Sequence, residues 1–252
     1  SIFVNSGSSA NLLMIYSLLE SGLLKNKRVI APAVSWVTTV SPLIQLGFDV
    51  KLCDCDKYNL GLNIEHFEQL CREHNPSFAI IVHVLGHANE MEDIQKICNK
   101  YNIILIEDAC EALGSVYKGK KLGSLSKSGS FSFYYGHHIS TIEGGVVVTD
   151  DTDLFNLMLS IRSHGWGRDV NNEYHDKWKK GYDIDEVRDL YTFYYPGFNL
   201  RSSDLNAFLG LSQLTKIECL SKKRQENYNH YKSYLKNFWN QKSNTQLISS
   251  FA

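Results

Sequence analysis

Phe78-Ala79-Ile80-Ile81-Val82-His83-Val84 and Ile103-Ile104-Leu105-Ile106-Glu107-Asp108 are two apolar runs of strand length, and Met91 to Asn99 between them has helical spacing. Successive strand residues point to opposite faces, so a strand that is apolar throughout has no side left for water. Two such strands joined through a helix read as members of a parallel sheet covered on both faces.

The alternation extends in both directions. Upstream, Ile2–Val4 reads as a strand, Asn11 to Leu24 as a helix, Arg28–Pro32 and Val50–Cys53 as strands, and about Asn63 to Glu73 as a helix. Downstream, Gly129 to Tyr134 and Gly145 to Thr149 read as two strands flanking a Gly/His loop, followed by a helix from Asp153 to Arg162. Asn171 to Asp189 is charged and turn-rich, an excursion from the core, and Asp204 to Leu220 and Lys222 to Phe238 read as two final helices. The opening strand is already under way at Ser1 and the chain stops just after a polar helix. The expectation is a piece of a longer protein, cut at both ends.

The 252 residues carry 26 Lys+Arg against 27 Asp+Glu, with 43% hydrophobic and 21% charged residues. That balance excludes a disordered tail, a collagen-like repeat and a polybasic nucleic-acid binder. The uncharged window from Val29 to Phe48 is as long as a membrane span, but Pro32, Pro42 and five polar residues interrupt it. A buried strand, a loop and a short helix fit it better, and no membrane contact is expected. There is no secretory signal pattern. Six scattered cysteines, Cys53, Cys55, Cys71, Cys98, Cys110 and Cys219, read as reduced thiols of a cytoplasmic protein. His83 and His87 lack a third ligand at metal spacing, so no metal site is read.

Ligands of an open parallel sheet collect at the carboxyl ends of its strands. After the first strand, Asn5-Ser6-Gly7-Ser8-Ser9-Ala10-Asn11 leads into a helix, a setting that suits phosphate and equally suits plain capping. Trp36 follows the second strand and is either a stacking face for a flat heteroaromatic ligand or a core residue. Asp108 ends a wholly apolar strand, where a carboxylate needs a cationic partner; a protonated pyridine nitrogen would serve, and helix capping is the alternative.

Gly7-Ser8-Ser9-Ala10-Asn11, Glu107-Asp108-Ala109, Ser130-Phe131-Ser132-Phe133, Glu143-Gly144-Gly145 and Gly197-Phe198-Asn199-Leu200-Arg201 occur in this order. Together they resemble the pyridoxal-phosphate sugar aminotransferases of the DegT/DnrJ/EryC1/StrS type, over Ile2 to about Tyr234. The resemblance implies an α/β, three-layer fold like that of aspartate aminotransferase (fold type I of the pyridoxal-phosphate enzymes), with a mostly parallel central sheet. It implies a cofactor-binding large domain over residues 1–215, and a connecting helix with the start of a small domain over 216–252. It also assigns roles: Asp108 to the pyridine N–H, Trp36 to ring stacking, Glu111 to the ring's 3-hydroxyl, Ser8, Ser9 and Ser132 to the phosphate. Asn199 would reach the phosphate of a second subunit, making a homodimer with a shared active site.

The departure from the pattern carries the function. Where the aminotransferases have a lysine bonded covalently to the cofactor, this chain has His137, and the nearest lysine upstream is Lys127. His137-His138-Ile139-Ser140-Thr141-Ile142-Glu143 is similar to the lysine-lacking sugar 3-dehydratases of the same family, and the lysine alignment favours His137 over His138 as the base. What this implies is pyridoxamine or pyridoxal 5'-phosphate as cofactor and L-glutamate as amino donor. The substrate would be a nucleotide-linked 4-keto-6-deoxyhexose, with GDP-4-keto-6-deoxymannose favoured, on a colitose-type deoxysugar route. The CDP-4-keto-6-deoxyglucose 3-dehydratases also carry His-His, but they hold an iron–sulfur cluster; no cysteine falls between Cys110 and Cys219, so no cluster is expected. A non-catalytic regulator that kept the fold is the remaining alternative. The Arg162–Arg168 segment and the basic run Lys222–Arg224 are given no chemistry, the latter reading as a solvated face.

Overall fold

The computed structural model describes residues 1–242, with side chains as far as Leu235. The strands are β1 (Ile2–Val4), β2 (Arg28–Pro32), β3 (Asp49–Cys53), β4 (Phe78–Val82), β5 (Ile104–Asp108), the hairpin pair β6 (Val116–Tyr117) and β7 (Lys120–Lys121), β8 (Gly129–Ser132) and β9 (Gly145–Val148). Among the described residues, seven of them form one sheet in the order β1-β9-β8-β5-β4-β2-β3. The pairs β2–β3, β2–β4, β4–β5 and β5–β8 are parallel, and β9 runs antiparallel to both its neighbours, β8 and β1. All of the sheet's strands except β9 therefore point the same way.

The helices are α1 (Gly7–Glu20), α2 (Val37–Gln45), α3 (Ile64–His74), α4 (Met91–Tyr101), α5 (Thr152–Arg162), α6 (Asn172–Gly181), α7 (Glu186–Asp189), α8 (Asp204–Leu214) and α9 (Ile217–Lys242). The pleat divides the apolar strands between two cores. Val29, Phe78, Ile80 and Ile106 pack with Leu13 and Met14 of α1, Leu43 of α2 and Met158 and Ile161 of α5. Ile30, Ala79, Ile81 and Leu105 pack with Phe67 and Cys71 of α3 and Ile94 and Cys98 of α4. This is the expected three-layer arrangement, with helices on both faces of a mostly parallel sheet.

Three boundaries differ from the sequence reading, each for a local reason. Helix α1 begins at Gly7, ahead of Asn11, because the Ser6 hydroxyl accepts the Ser9 N–H and caps an added first turn. The excursion folds into α6 and α7, capped by Asn171 and by Asp185, whose carboxylate accepts the N–H groups of Val187 and Arg188. The last two helices divide at Thr215–Lys216 and not near Ser221, where the sequence has no Gly or Pro to break them. All six cysteines are unpaired, and the part of the expected second unit from 243 onward lies outside the described residues.

Because Ile80 and Ile81 are both fully buried and face opposite cores, truncating either tests the layering. Ile80→Ala and Ile81→Ala are each expected to cost about 2–5 kcal/mol, read as a drop in the midpoint of chemical denaturation. A loss below ~1 kcal/mol at either position contradicts a core on that face.

Candidate active site

The topology brings three distant motifs to one edge of the sheet. Val4 and Ser132 both pair with Gly145. The end of β1, which feeds α1, thus lies beside the end of β8, which feeds the His loop, and Glu143-Gly144-Gly145 returns to the same place. A Cβ on Gly7 would stand 2.5 Å from the Ser132 Cβ and 3.1 Å from the Cys110 sulfur, and one on Gly145 would stand 2.3 Å from the Ser6 carbonyl oxygen. Glycine at both positions lets α1 start against the sheet edge.

Asp108 closes β5 at this edge and is 4% exposed. Its Oδ2 accepts the side-chain amide of Asn11 at 2.7 Å and the hydroxyl of Thr39 at 2.8 Å, and its Oδ1 accepts the Cys110 N–H at 3.1 Å. Ser130 donates its hydroxyl to Asn11 Oδ1 at 2.6 Å, which fixes the way that amide faces. Among the described residues, no lysine, arginine or histidine nitrogen is bonded to this carboxylate. A buried carboxylate held only by neutral donors keeps its charge available for a cationic ligand group, and a protonated ring nitrogen fits that position. Asn11, Thr39 and Ser130 were not among the residues singled out from sequence. The available signal was polar side chains at positions whose helical or strand neighbours are apolar.

The residues expected to receive a phosphate gather at the start of α1. Ser6 satisfies the Ser9 N–H, and the N–H groups of Gly7 and Ser8 open the helix, where the dipole favours an anion. Ser8 Oγ donates to Thr38 Oγ1 at 3.1 Å, tying α1 to the start of α2. Ser9 Oγ receives the Ser6 hydroxyl at 3.0 Å. Ser132 is buried against Gly7, and its Oγ accepts the Tyr134 N–H at 3.3 Å. Trp36, two residues from Thr38, is 75% exposed at the N-terminus of α2, so it is not a core residue. Asn199 stands apart. It is exposed on a segment that pairs with Ser163 and continues along β1, and among the described residues no hydrogen bond joins it to Ser8, Ser9 or Ser132.

The loop after β8 carries the histidines. Its entry is closed by the Phe133 N–H on the Gly144 carbonyl at 2.8 Å and by the His137 N–H on the Tyr134 carbonyl at 3.0 Å. His137 is half-buried, and burial lowers its proton affinity; the carboxylates of Glu111 and Asp108 oppose that and Arg224 reinforces it, leaving the pKa below the usual imidazole value. The shift favours the neutral imidazole, the form that can take a proton. Burial, then Arg224 and His137, push His138 down to about 4, and its buried Nδ1 has no hydrogen-bond partner. Glu111 is placed by the Leu85 N–H, which donates to its Oε2 at 2.6 Å. The basic run Lys222–Arg224 of α9 is exposed, as expected of a solvated face, and the charge of Arg224 also acts on both histidines.

Lys127 precedes β8 and sits at the opposite end of that strand from Ser132, ion-paired with Asp151. The loop itself carries no lysine, the next one after Lys127 being Lys177. The model of the DegT/DnrJ/EryC1/StrS aminotransferase family matches residues 1–248. The chain belongs to that family. Among curated members it is 37% identical to the GDP-4-keto-6-deoxy-D-mannose 3-dehydratase of Yersinia pseudotuberculosis over 235 residues, 92% of this chain and 59% of the relative. Two solved structures of GDP-4-keto-6-deoxymannose-3-dehydratase align at 34% identity. One, with bound GDP-perosamine, has a TM-score of 0.77 and matches 90% of this chain and 59% of its own. The other, with a trapped PLP-glutamate geminal diamine, has a TM-score of 0.79 and matches 91% of this chain and 61% of its own. The chain thus spans about three-fifths of the length of these family members.

Behind the family motif Glu107-Asp108-Ala109, Glu107 serves the scaffold. It is fully buried and accepts His83 Nε2 at 2.9 Å, the N–H groups of Gly123 and Leu125 at 2.7 Å each, and the Ser126 hydroxyl at 2.8 Å. Burial, the largest influence, pushes its pKa up, but these partners outweigh it and hold the carboxyl below the usual range. His83, weighed above as a metal ligand, is committed to this pair. A group whose folded pKa is depressed stabilises the fold above its unfolded pKa and loses that contribution as pH falls through the folded value. His83→Leu strands the carboxylate and is expected to cost about 3–5 kcal/mol near neutral pH. The gap to wild type in urea unfolding should narrow as pH is lowered below ~4.3. A gap independent of pH would show that the pair is not ionic.

Proposed function

We propose that this chain supplies the cofactor-binding part of a pyridoxamine/pyridoxal 5'-phosphate-dependent 3-dehydratase of a nucleotide-linked 4-keto-6-deoxyhexose. On this reading residues 1–215 are the large domain, and 216–252 connect it to a small one. GDP-4-keto-6-deoxymannose is the favoured substrate and L-glutamate the amino donor, as the names of the related dehydratases and the PLP-glutamate adduct in one of them support. The single observation that carries the proposal is His137 in the loop after β8, where the resemblance puts the family's lysine.

When bound, the cofactor's protonated ring supplies the electron sink for loss of the C3 hydroxyl. Everything else falls to the chain. Asp108, held by neutral donors, would receive the ring N–H, and Trp36 presents an exposed aromatic face for stacking. The amides at the start of α1, with Ser8, Ser9 and Ser132, receive the phosphate, and Glu111 faces the 3-hydroxyl side. His137 accepts a proton from the carbon bearing the cofactor's amine and delivers one to the sugar's departing C3 hydroxyl oxygen. A half-buried imidazole neutral at pH 7 suits both transfers.

The site is shared between two copies of the chain. Asn199 is exposed and detached from the α1 cluster, as a residue serving a partner's phosphate would be. The outer side of α8 presents Leu205, Phe208 and Leu211, each more than 60% exposed, an apolar stripe of the kind an interface covers. A cytoplasmic enzyme is the reading that accords with six unpaired cysteines, and no helix among the described residues is long and apolar enough to cross a membrane.

Purified protein given pyridoxamine phosphate, L-glutamate and GDP-4-keto-6-deoxymannose should release ammonia and yield a product one oxygen lighter; formation of a 4-amino sugar would overturn the proposal. His137→Asn should slow dehydration by about 10²–10⁴-fold. The acid limb of kcat/KM should lie below the ordinary imidazole value of ~6.5, because protonation of His137 removes the base. A limb displaced above that value would assign the base to another group.

A further inference from the structure

The loop that carries His137 is held from outside. Past Ser140 it passes through Ile142, which lies at φ 70° with its side chain 62% exposed. A β-branched residue in the left-handed region is a backbone outlier, and burial of its side chain does not compensate it here. The constraint comes from α8. Gln213 Oε1 accepts the Ser140 N–H at 2.8 Å while its Nε2 donates to the Ser140 carbonyl, so one amide pairs with both backbone polar groups of a single residue. Asn206 Nδ2 donates to the carbonyls of Thr141 at 2.7 Å and Glu143 at 3.2 Å, one on each side of Ile142. Gly210 lies between them on the same helix face, and a Cβ there would stand 2.8 Å from the Thr141 methyl carbon. Within the loop, Ser140 Oγ accepts the Ile142 N–H at 3.0 Å and Thr141 Oγ1 donates to the Glu143 carbonyl at 2.9 Å. Two amides and a glycine on one helix face thus fit the strained turn residue by residue.

We propose that Gln213 is a positioning residue of the dehydration, acting with Asn206 to impose the left-handed turn at Ile142 and so to fix where the His137 imidazole stands. A bent loop held by side-chain amides across a helix face keeps its geometry before any ligand arrives, which is what a proton transfer of fixed geometry requires. The inference rests on the reading of His137 as the base.

Gln213→Met keeps the length of the side chain and removes both bonds to Ser140. Ser212→Ala is the control, since Ser212 bonds only the Leu209 carbonyl within the same helix. Gln213→Met is expected to lower kcat by ~10-fold to ~100-fold while KM for the nucleotide sugar changes less than ~2-fold, because misplacing a catalytic group spares binding. Hydrogen exchange of the Ser140 amide in the protein without substrate should accelerate by ~10-fold or more. Ile142→Gly added to Gln213→Met should recover turnover by ~5-fold, since glycine adopts the turn without strain. Wild-type kcat together with lost Ser140 protection would overturn the positioning role. Unchanged protection would overturn the clamp, and so would a double variant that recovers nothing. Wild-type protein that protects Ser140 and dehydrates nothing would instead overturn the reading of the site.

Discussion

A carboxylate buried at the end of β5 is the constraint around which this site is arranged. Asp108 cannot keep its charge in a nearly dry place without donors. The chain brings them from α1 through Asn11, from α2 through Thr39 and from its own following turn through Cys110. Ser130 of β8 then orients Asn11. Four elements are tied to one side chain, and two of them, α1 and α2, begin where Ser8, Ser9 and Trp36 stand. Satisfying one buried charge therefore also sets the register between the helix N-terminus, the stacking face and the strand that leads to His137.

The proposed base is governed by the opposite problem. An imidazole that must accept a proton near neutral pH has to be kept uncharged, and half-burial with Arg224 nearby does that against the pull of Glu111 and Asp108. The same surroundings act more strongly on His138, which is pushed down to about 4. The two adjacent histidines are thus separated by environment. One retains carboxylates within reach of its charge, while the other feels only burial and cations. The electrostatics thus distinguish His137, the residue the resemblance favours as base, from His138.

Much of the fold was legible because it follows from period alone: continuous apolar runs such as Phe78–Val82 admit no exposed face, and helices between them must cover both sides. What escaped was local or long-range chemistry. The first turn of α1 hides in Gly7-Ser8-Ser9, weak helix formers whose turn is stabilised by the Ser6 cap. Asn11 and Thr39 were illegible as ligands of Asp108 because they lie 97 and 69 residues from it, and apolar periodicity is blind to polar partners. His137 was visible through resemblance to a family, where spacing would have shown only a Gly/His loop. Asn199 was assigned to a second subunit on the same resemblance, and a single chain places it beside β1 without bringing it to a phosphate.

The neighbouring acids at the end of β5 show how a scaffold separates structural from chemical use of one residue type. Adjacent strand residues point to opposite faces, so Glu107 and Asp108 meet different surroundings although the chain joins them. An ionised carboxylate has about four acceptor positions. Those of Glu107 are filled by His83, Gly123, Leu125 and Ser126, which leaves it nothing to offer a ligand. Asp108 receives Asn11, Thr39 and the Cys110 N–H, with the Cys110 thiol, pushed well up by burial and by Asp108 itself, as a weak further neighbour. All of these donors are neutral, and the carboxylate stands by the strand ends where the α1 and His-loop motifs also meet. A buried carboxylate held by neutral donors alone is what the proposed recognition of a protonated ring nitrogen calls for, while the fully satisfied pair one residue earlier in the strand serves the fold.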